Sequence, residues 1–195
     1  MSSLSTIKTW LRETDAYRAG SLYREDNFPL NWLVRKVLSK VRITDETAAE
    51  LKALAEKGVV IYALKSKSQL NSLILRELSV RRGIPPPVYC HGINMIVWQP
   101  FPMAIRLIAS QLYRWIFRKE RLDPTGTAHL QERVGKGQSA IIHLGQSELF
   151  DNPFVDETLS QLLEAQANSP TPLYLCPEVI TYGRRREKEE ESFFN

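Results

Sequence analysis

The chain has 195 residues, 43% of them hydrophobic and 25% charged, a composition that fits one globular domain with its own core and neither a disordered nor a fibrous protein. Its formal charge of +4 is unevenly laid out, with the basic residues mostly before Arg133 and an acidic run, EKEEES, near the end. The scattered positives form no aromatic-basic stripe, so no nucleic acid is expected among the partners, and no apolar run approaches the ~20 residues of a membrane span.

The first two stretches with helical spacing are LSTIKTWLRETDAYRAG and FPLNWLVRKVLSKV. The second sets Phe28, Trp32, Leu33 and Val37 opposite Arg35, Lys36 and Lys40, a short basic amphipathic helix suited to a lipid surface. Residues 1–42 are therefore expected to form a helical extension in contact with membrane, ahead of an α/β domain over 43–195. TDETAAELKALAEKG is the clearest helix, with Thr44 as N-cap, acids in the first turn and Gly58 at its end.

Next come VVIYAL as a buried strand, SQLNSLILRELSVRRG as a helix and PPVYCHG as a second strand. INMIVWQPFPMAIRLIASQLYRWIFRKER breaks at Pro100 and Pro102 and continues as a helix. HLQERVGKG is a shorter helix, SAIIHLG a third strand, FVDETLSQLLEAQA a helix and PLYLCPEVITYG a fourth strand. Strands separated by helices predict parallel βαβ units covered on both faces: a three-layer α/β fold around a mixed, mainly parallel sheet. The carboxyl ends of the strands at 59–64, 87–91 and 140–144 are expected to meet. EKEEESFFN reads as the opening turn of a further helix, so the chain is expected to be an N-terminal piece of a longer protein.

Cys90 and Cys176 both fall in apolar, strand-like runs, which suits core residues of a reduced cytoplasmic protein better than a disulfide. His91 and His143 close the second and third strands, at the sheet edge where α/β sites form, and an imidazole there could titrate near the working pH or be a satisfied structural group. His129 lies on a short helix and reads as a surface residue. No His, Cys, Asp and Glu cluster has metal-ligand spacing, no glycine-rich phosphate loop or nucleophile signature appears, and neither a metal nor a cofactor is expected.

Where VVIYAL hands over to the next helix, Lys65, Ser66, Lys67, Ser68, Gln69 and Asn71 stand together. Free backbone N–H groups, hydroxyls and two ammonium groups at a helix start make an anion cradle. The alternative is a serine cap flanked by solvated lysines.

The order of blocks resembles the glycerol-3-phosphate and lysophosphatidate acyltransferases of bacterial phospholipid synthesis over roughly residues 40 to 190. VRITDETAAELKALAEKGVVIYAL resembles the lead-in to that family's first motif, GIPPPVYCHGINMIVWQPFP its segment with Gly-Ile-Asn, and RLIASQLYRWIFRK its second motif. SAIIHLGQSE resembles the third and LYLCPEVITYGRRREKE the fourth. The diagnostic residues depart from the pattern. The first-motif histidine and aspartate, a general base and its orienting carboxylate, fall on Ser66 and Asn71, and a serine hydroxyl is no base near neutral pH. The second-motif glycine falls on Ile108, while Arg114 stands where the family places an arginine near the acceptor phosphate. The third-motif glutamate falls on His143, its second glycine on Gly145 and its arginine on Gln146; Pro177 matches the fourth.

The resemblance implies an O-acyltransferase that moves a fatty acyl group from an acyl thioester, on acyl carrier protein or coenzyme A, to a phosphorylated glycerol at the inner face of the cell membrane. The lost base would then be replaced by His91 or His143, with Lys65, Ser66, Lys67, Ser68, Asn71, Arg114, Gly145 and Gln146 around the substrates. The alternative is a non-catalytic relative that keeps the lipid and phosphate pockets as a binding or regulatory module.

Residues 95 to 118 combine Met95, Ile96, Val97, Trp98, Phe101, Met103, Trp115 and Phe117 with Arg106, Arg114 and Arg118. Such a mixture suits the headgroup boundary of a membrane and equally a core or an acyl-chain groove. GRRREKEEES reads as a solvated helix start, with a phosphate contact by Arg184 to Arg186 as the alternative.

Overall fold

The structure, a computed structural model, describes residues 19–22, 41–118, 127–144 and 153–180. The helices expected at 4–20 and 28–41 fall almost wholly outside the described residues, as do the expected features after residue 180.

Four strands, β1 (Val59–Leu64), β2 (Tyr89–Cys90), β3 (Ala140–His143) and β4 (Leu173–Glu178), form one sheet in the order β2-β3-β1-β4. Every pairing among them is parallel. Between them lie α1 (Asp45–Lys57), α2 (Gln69–Arg82), α3 (Phe101–Arg118), α4 (Thr127–Gly135) and α5 (Pro153–Ala167). Side chains alternate across the sheet, and two cores result. Val60, Tyr62, Leu64, Cys90 and Ile141 pack on one face with Ala48 and Leu51 of α1 and Leu75 of α2. Val59, Ile61, Ala63, Tyr89, Ala140 and Ile142 pack on the other with Leu130 and Val134 of α4 and Leu162 and Ala165 of α5. This is the expected three-layer α/β arrangement, and all six residues of β1 are buried because the strand is internal and covered on both sides.

Local chemistry sets the element ends. Thr44 Oγ1 accepts from the Thr47 amide at 3.2 Å and caps α1. Gly83, at φ 63°, gives α2 a left-handed C-cap whose amide reaches the Ser79 and Val80 carbonyls. Gly58 ends α1 in extended backbone, and its requirement is space: a Cβ there would lie 2.1 Å from the Pro172 carbonyl oxygen, beside the hydrogen bond from the Val59 amide to that same oxygen.

Three expectations need adjustment. The second strand, read at 87–91, pairs only over Tyr89–Cys90, because His91 already turns away toward Gly92 at φ 76°. The fourth, read to residue 183, pairs as far as Glu178 among the described residues, with Val179 and Ile180 already outside the strand and 181–183 outside the described residues. Pro102 does not break the chain: after Pro100, α3 starts at Phe101 and carries Pro102 in its first turn, where the missing N–H has no helical partner to lose.

The edge at β2 is closed by residues 19–22. Ser21 bridges Tyr89 in antiparallel fashion, the Leu22 amide donates to the Val88 carbonyl at 2.9 Å, and Gln99 Nε2 donates to the Ser21 carbonyl at 2.6 Å. Cys90 and Cys176 are both free; their strands sit at opposite edges, three strand spacings or roughly 14 Å apart, beyond the reach of a disulfide.

Candidate functional site

The connection after β1 crosses to the α1–α2 face, whereas the element after β3, its neighbour, packs on the α4–α5 face. Adjacent parallel strands whose chains leave in opposite directions open a crevice at their carboxyl ends. Lys65 to Ser68 and His143 stand at this crevice.

On the β1 side, Ser68 caps α2 by accepting from the Asn71 amide at 3.3 Å. The cap expected of a serine is therefore present, but it is Ser68 and leaves Ser66 to a second contact: Asn71 Nδ2 donates to Ser66 Oγ at 3.2 Å. Ser66, Ser68 and Asn71 are partly buried, and Lys65 and Lys67 are exposed. The wall is fixed by Gln69, whose Nε2 donates to the Asn94 carbonyl at 2.7 Å while its Oε1 accepts from Trp98 Nε1 at 2.8 Å. Asn94 Oδ1 in turn accepts from the Ile96 amide. The loop after β2 is thus tied to the head of α2.

On the β3 side, His143 pairs in register with Leu64 and is 1% exposed. Its Nδ1–H donates to the His91 carbonyl at 3.1 Å, which leaves the lone pair on Nε2, an atom with no hydrogen-bond partner among the described residues. Burial pushes its pKa down to about 4; the His91 carbonyl opposes this shift and the nearby Lys67 ammonium adds to it. A neutral imidazole with one nitrogen oriented and the other carrying a lone pair is chemically a hydrogen-bond acceptor, and a weak base unless an anion offsets its desolvation.

The structure does not bring the two histidine rings together. His91 follows Cys90 by one position, so its ring lies on the Tyr89 side, with ring centroids 6.2 Å apart, whereas His143 shares the face of Ile141 and Leu64. His91 meets the crevice through its carbonyl. His129 is half-buried on α4. Gly145 and Gln146 lie outside the described residues, as do Arg184 to Arg186, and of Arg114 only the helical backbone is described.

One residue at this edge was not among the sequence candidates. Glu178 ends β4 in register with Leu64, on the side of β1 opposite His143. It is partly buried, and burial raises its carboxyl pKa. Its charge is felt by Tyr62 and Cys176, both on the α1–α2 face. The sequence signal was a lone acid after the strand-like LYLCP, a pattern that becomes informative only once β4 is known to pair with β1.

Two apolar cavities lie elsewhere. One, of about 330 Å³, sits on the α4–α5 face between α5 and β4, lined by Leu159, Leu162, Leu163, Leu173 and Leu175 with Ile61 and Gln166. The other, of about 230 Å³, lies on α3 against Ile108, Gln111, Leu112 and Trp115. No group of three His, Cys, Asp or Glu among the described residues is placed to hold a metal ion.

The chain matches no protein-family model, and no solved structure matches it significantly.

Proposed function

We propose that the protein is an O-acyltransferase of glycerolipid synthesis, which carries a fatty acyl group from a thioester to a phosphorylated glycerol at the crevice between β1 and β3. The observation that carries this reading is the hydrogen bond between Asn71 and Ser66 at the head of α2, flanked by Lys65 and Lys67 at a carboxyl strand edge. The block order resembles that of the acyltransferases, and these two positions, five residues apart, are where that family pairs its histidine and aspartate. In this chain they are still in contact, as hydroxyl and amide. The N-terminal end of α2 and the two ammonium groups suit the acceptor phosphate, and Ser66 Oγ suits a hydrogen bond to its hydroxyl.

An acyl-transfer assay on the full-length protein, with glycerol-3-phosphate and lysophosphatidate as acceptors and acyl-coenzyme A or acyl carrier protein as donor, tests the reading. Transfer to either acceptor is the expected result. A second reading, a non-catalytic lipid- and phosphate-binding module, is favoured by the absence of a base at Ser66 and by the neutral, buried His143. Calorimetric binding of glycerol-3-phosphate without any transfer would select it.

The same reading puts the protein on the cytoplasmic face of the cell membrane. No described helix is long and apolar enough to cross a membrane, but α3 presents Phe101, Ile105, Ile108, Leu112, Trp115 and Ile116 to solvent, between 47% and 72% exposed. The helix contains three arginines and no acid. An apolar stripe beside cations suits an anionic headgroup boundary. Within the stretch first considered for this role, Met95 and Ile96 are core and Trp98 is held by Gln69, so lipid contact falls to the exposed stripe. Flotation with anionic liposomes should recover the protein, and Phe101→Ser with Trp115→Ser should weaken it; unchanged soluble behaviour in both would remove the membrane from this reading.

A further inference from the structure

We infer that His143 recognises a hydroxyl on the ligand of this crevice, its Nε2 accepting from that hydroxyl while the ligand's phosphate lies at the head of α2. The crevice thereby selects a hydroxylated phosphate monoester over one that has no hydroxyl. The inference rests on the reading of the crevice as the seat of a phosphorylated glycerol, and it holds whether or not acyl transfer follows. Its ground is one buried atom. His143 is 1% exposed, and its Nε2 has no hydrogen-bond partner among the described residues. Buried polar atoms in folded proteins rarely stay so unless a water, an ion or a ligand answers them.

The imidazole is held so that this atom faces the crevice. Its Nδ1–H donates to the His91 carbonyl at 3.1 Å, on the β2 side of the ring. Because β3 lies between β2 and β1, and the two ring nitrogens point away from each other, Nε2 is turned to the β1 side. There Leu64 stands in register with His143, and the chain runs on through Lys65, Ser66 and Lys67 to α2. Lys67 is close enough for its ammonium to act on the imidazole. The polar start of α2 and the buried lone pair thus border the same crevice.

With the proton on Nδ1, Nε2 can only accept. Burial keeps the ring neutral, its pKa pushed down to about 4, so the lone pair is present throughout the neutral range. Its partner must be a donor. A ligand ammonium would meet Lys65 and Lys67, and no acid stands between residues 65 and 71 to offset the repulsion, whereas a hydroxyl meets none. The same two cations and the N-terminal end of α2 favour an anion. Ser66 Oγ accepts from Asn71 Nδ2 at 3.2 Å, so its own O–H is left to donate to a ligand oxygen. An anion with a hydroxyl beside it answers all of these groups, and a phosphorylated glycerol is of that class.

The test is calorimetric binding of glycerol-3-phosphate, and of propyl phosphate, which keeps the carbon chain and phosphate without the hydroxyls, to full-length wild type and His143→Asn. The asparagine amide can donate to the His91 carbonyl as Nδ1 does but has nothing at the place of Nε2, so a merely structural role survives the change. Wild type should bind glycerol-3-phosphate roughly tenfold or more tighter than propyl phosphate. His143→Asn should bind the two alike, near the wild-type affinity for propyl phosphate, and Lys67→Ala should weaken both. Glycerol-3-phosphate, and not propyl phosphate, should also move the His143 imidazole proton signals of wild type, which decides the matter should His143→Asn fail to fold. A wild type that binds both alike or neither, or a His143→Asn protein that keeps the preference, overturns the inference and leaves Nε2 to a buried water. Acyl transfer is read separately: preference without transfer would overturn the enzyme and keep this role for His143, and transfer without preference would do the reverse.

Discussion

Asn71 Nδ2 donates to Ser66 Oγ at 3.2 Å, joining the last turn of a loop to the first turn of α2. The contact pairs a hydroxyl with an amide, neither of which exchanges a proton near neutral pH. The head of α2 can hold and orient an anion, while at the neighbouring strand end His143 is buried, with its pKa pushed down to about 4. The roles of individual residues here are distinguishable by experiment.

Lys67 is the first such case. Its ammonium is exposed, yet its charge helps to hold the His143 pKa down. Lys67→Ala should therefore raise the His143 pKa from about 4, as read from the imidazole proton shifts in an NMR titration. Under the proposed function the same variant should raise KM for glycerol-3-phosphate by roughly tenfold with kcat little changed, because a contact to the acceptor phosphate would be made equally in ground and transition states. An unmoved imidazole would place Lys67 away from the crevice.

His143 also predicts a pH dependence of stability. Its folded pKa, about 4, lies below the ordinary 6.5, so between these values the unfolded chain binds a proton that the folded one refuses. Stability then rises with pH through that window, and the contribution is lost as pH falls from 6.5 toward 4. The size is about 3 kcal/mol at most. Denaturant unfolding of wild type and His143→Gln at a series of pH values should show the variant with the shallower loss on acidification. Parallel curves would mean that the imidazole is solvated.

Cys90 is wholly buried, hydrogen-bonded to Ser72 at 3.2 Å, and its thiol is pushed up to about 12 by desolvation. Because the thiolate is the reactive species, Cys90 should resist alkylation at pH 8 in the native protein and react once the chain is unfolded in guanidinium. Peptide mapping after iodoacetamide treatment reads this directly. Native labelling of Cys90 at the rate of an exposed thiol would show that β2 opens readily from the sheet.

The elements that could be read from sequence are those whose signals are local. Thr44 before two acids marks the start of α1 by capping chemistry that needs no tertiary context, and Gly58 marks its end, although in extended rather than left-handed backbone. VVIYAL is legible as a buried strand for the same reason. What was not legible depends on pairing. Glu178 gains meaning only from its register with Leu64, and the separation of His91 from His143 only from alternation across the sheet. In the stretch 95–118, hydrophobicity alone could not tell Ile96 and Leu107, which are buried, from Phe101 and Trp115, which are not; the direction from which α3 docks decides that.

Gly58 offers a test of the sheet register on which these assignments stand. Its backbone is extended, so the residue is not required for conformational reasons. It is required because β4 begins against it: a Cβ would stand 2.1 Å from the Pro172 carbonyl oxygen and 3.0 Å from the Tyr174 ring. Neither the oxygen, which accepts the Val59 amide at 2.9 Å, nor the start of β4 can retreat without loosening the β1–β4 pairing that sets Glu178 beside Leu64. Gly58→Ala should accordingly cost about 3 kcal/mol, at the upper end of overpacking effects, in urea unfolding followed by circular dichroism. Gly135, which has open space where a Cβ would go, provides the control: Gly135→Ala should leave stability close to wild type. A Gly58→Ala protein as stable as wild type would mean that β4 does not start where Pro172 places it, and the row that joins His143, Leu64 and Glu178 would have to be redrawn.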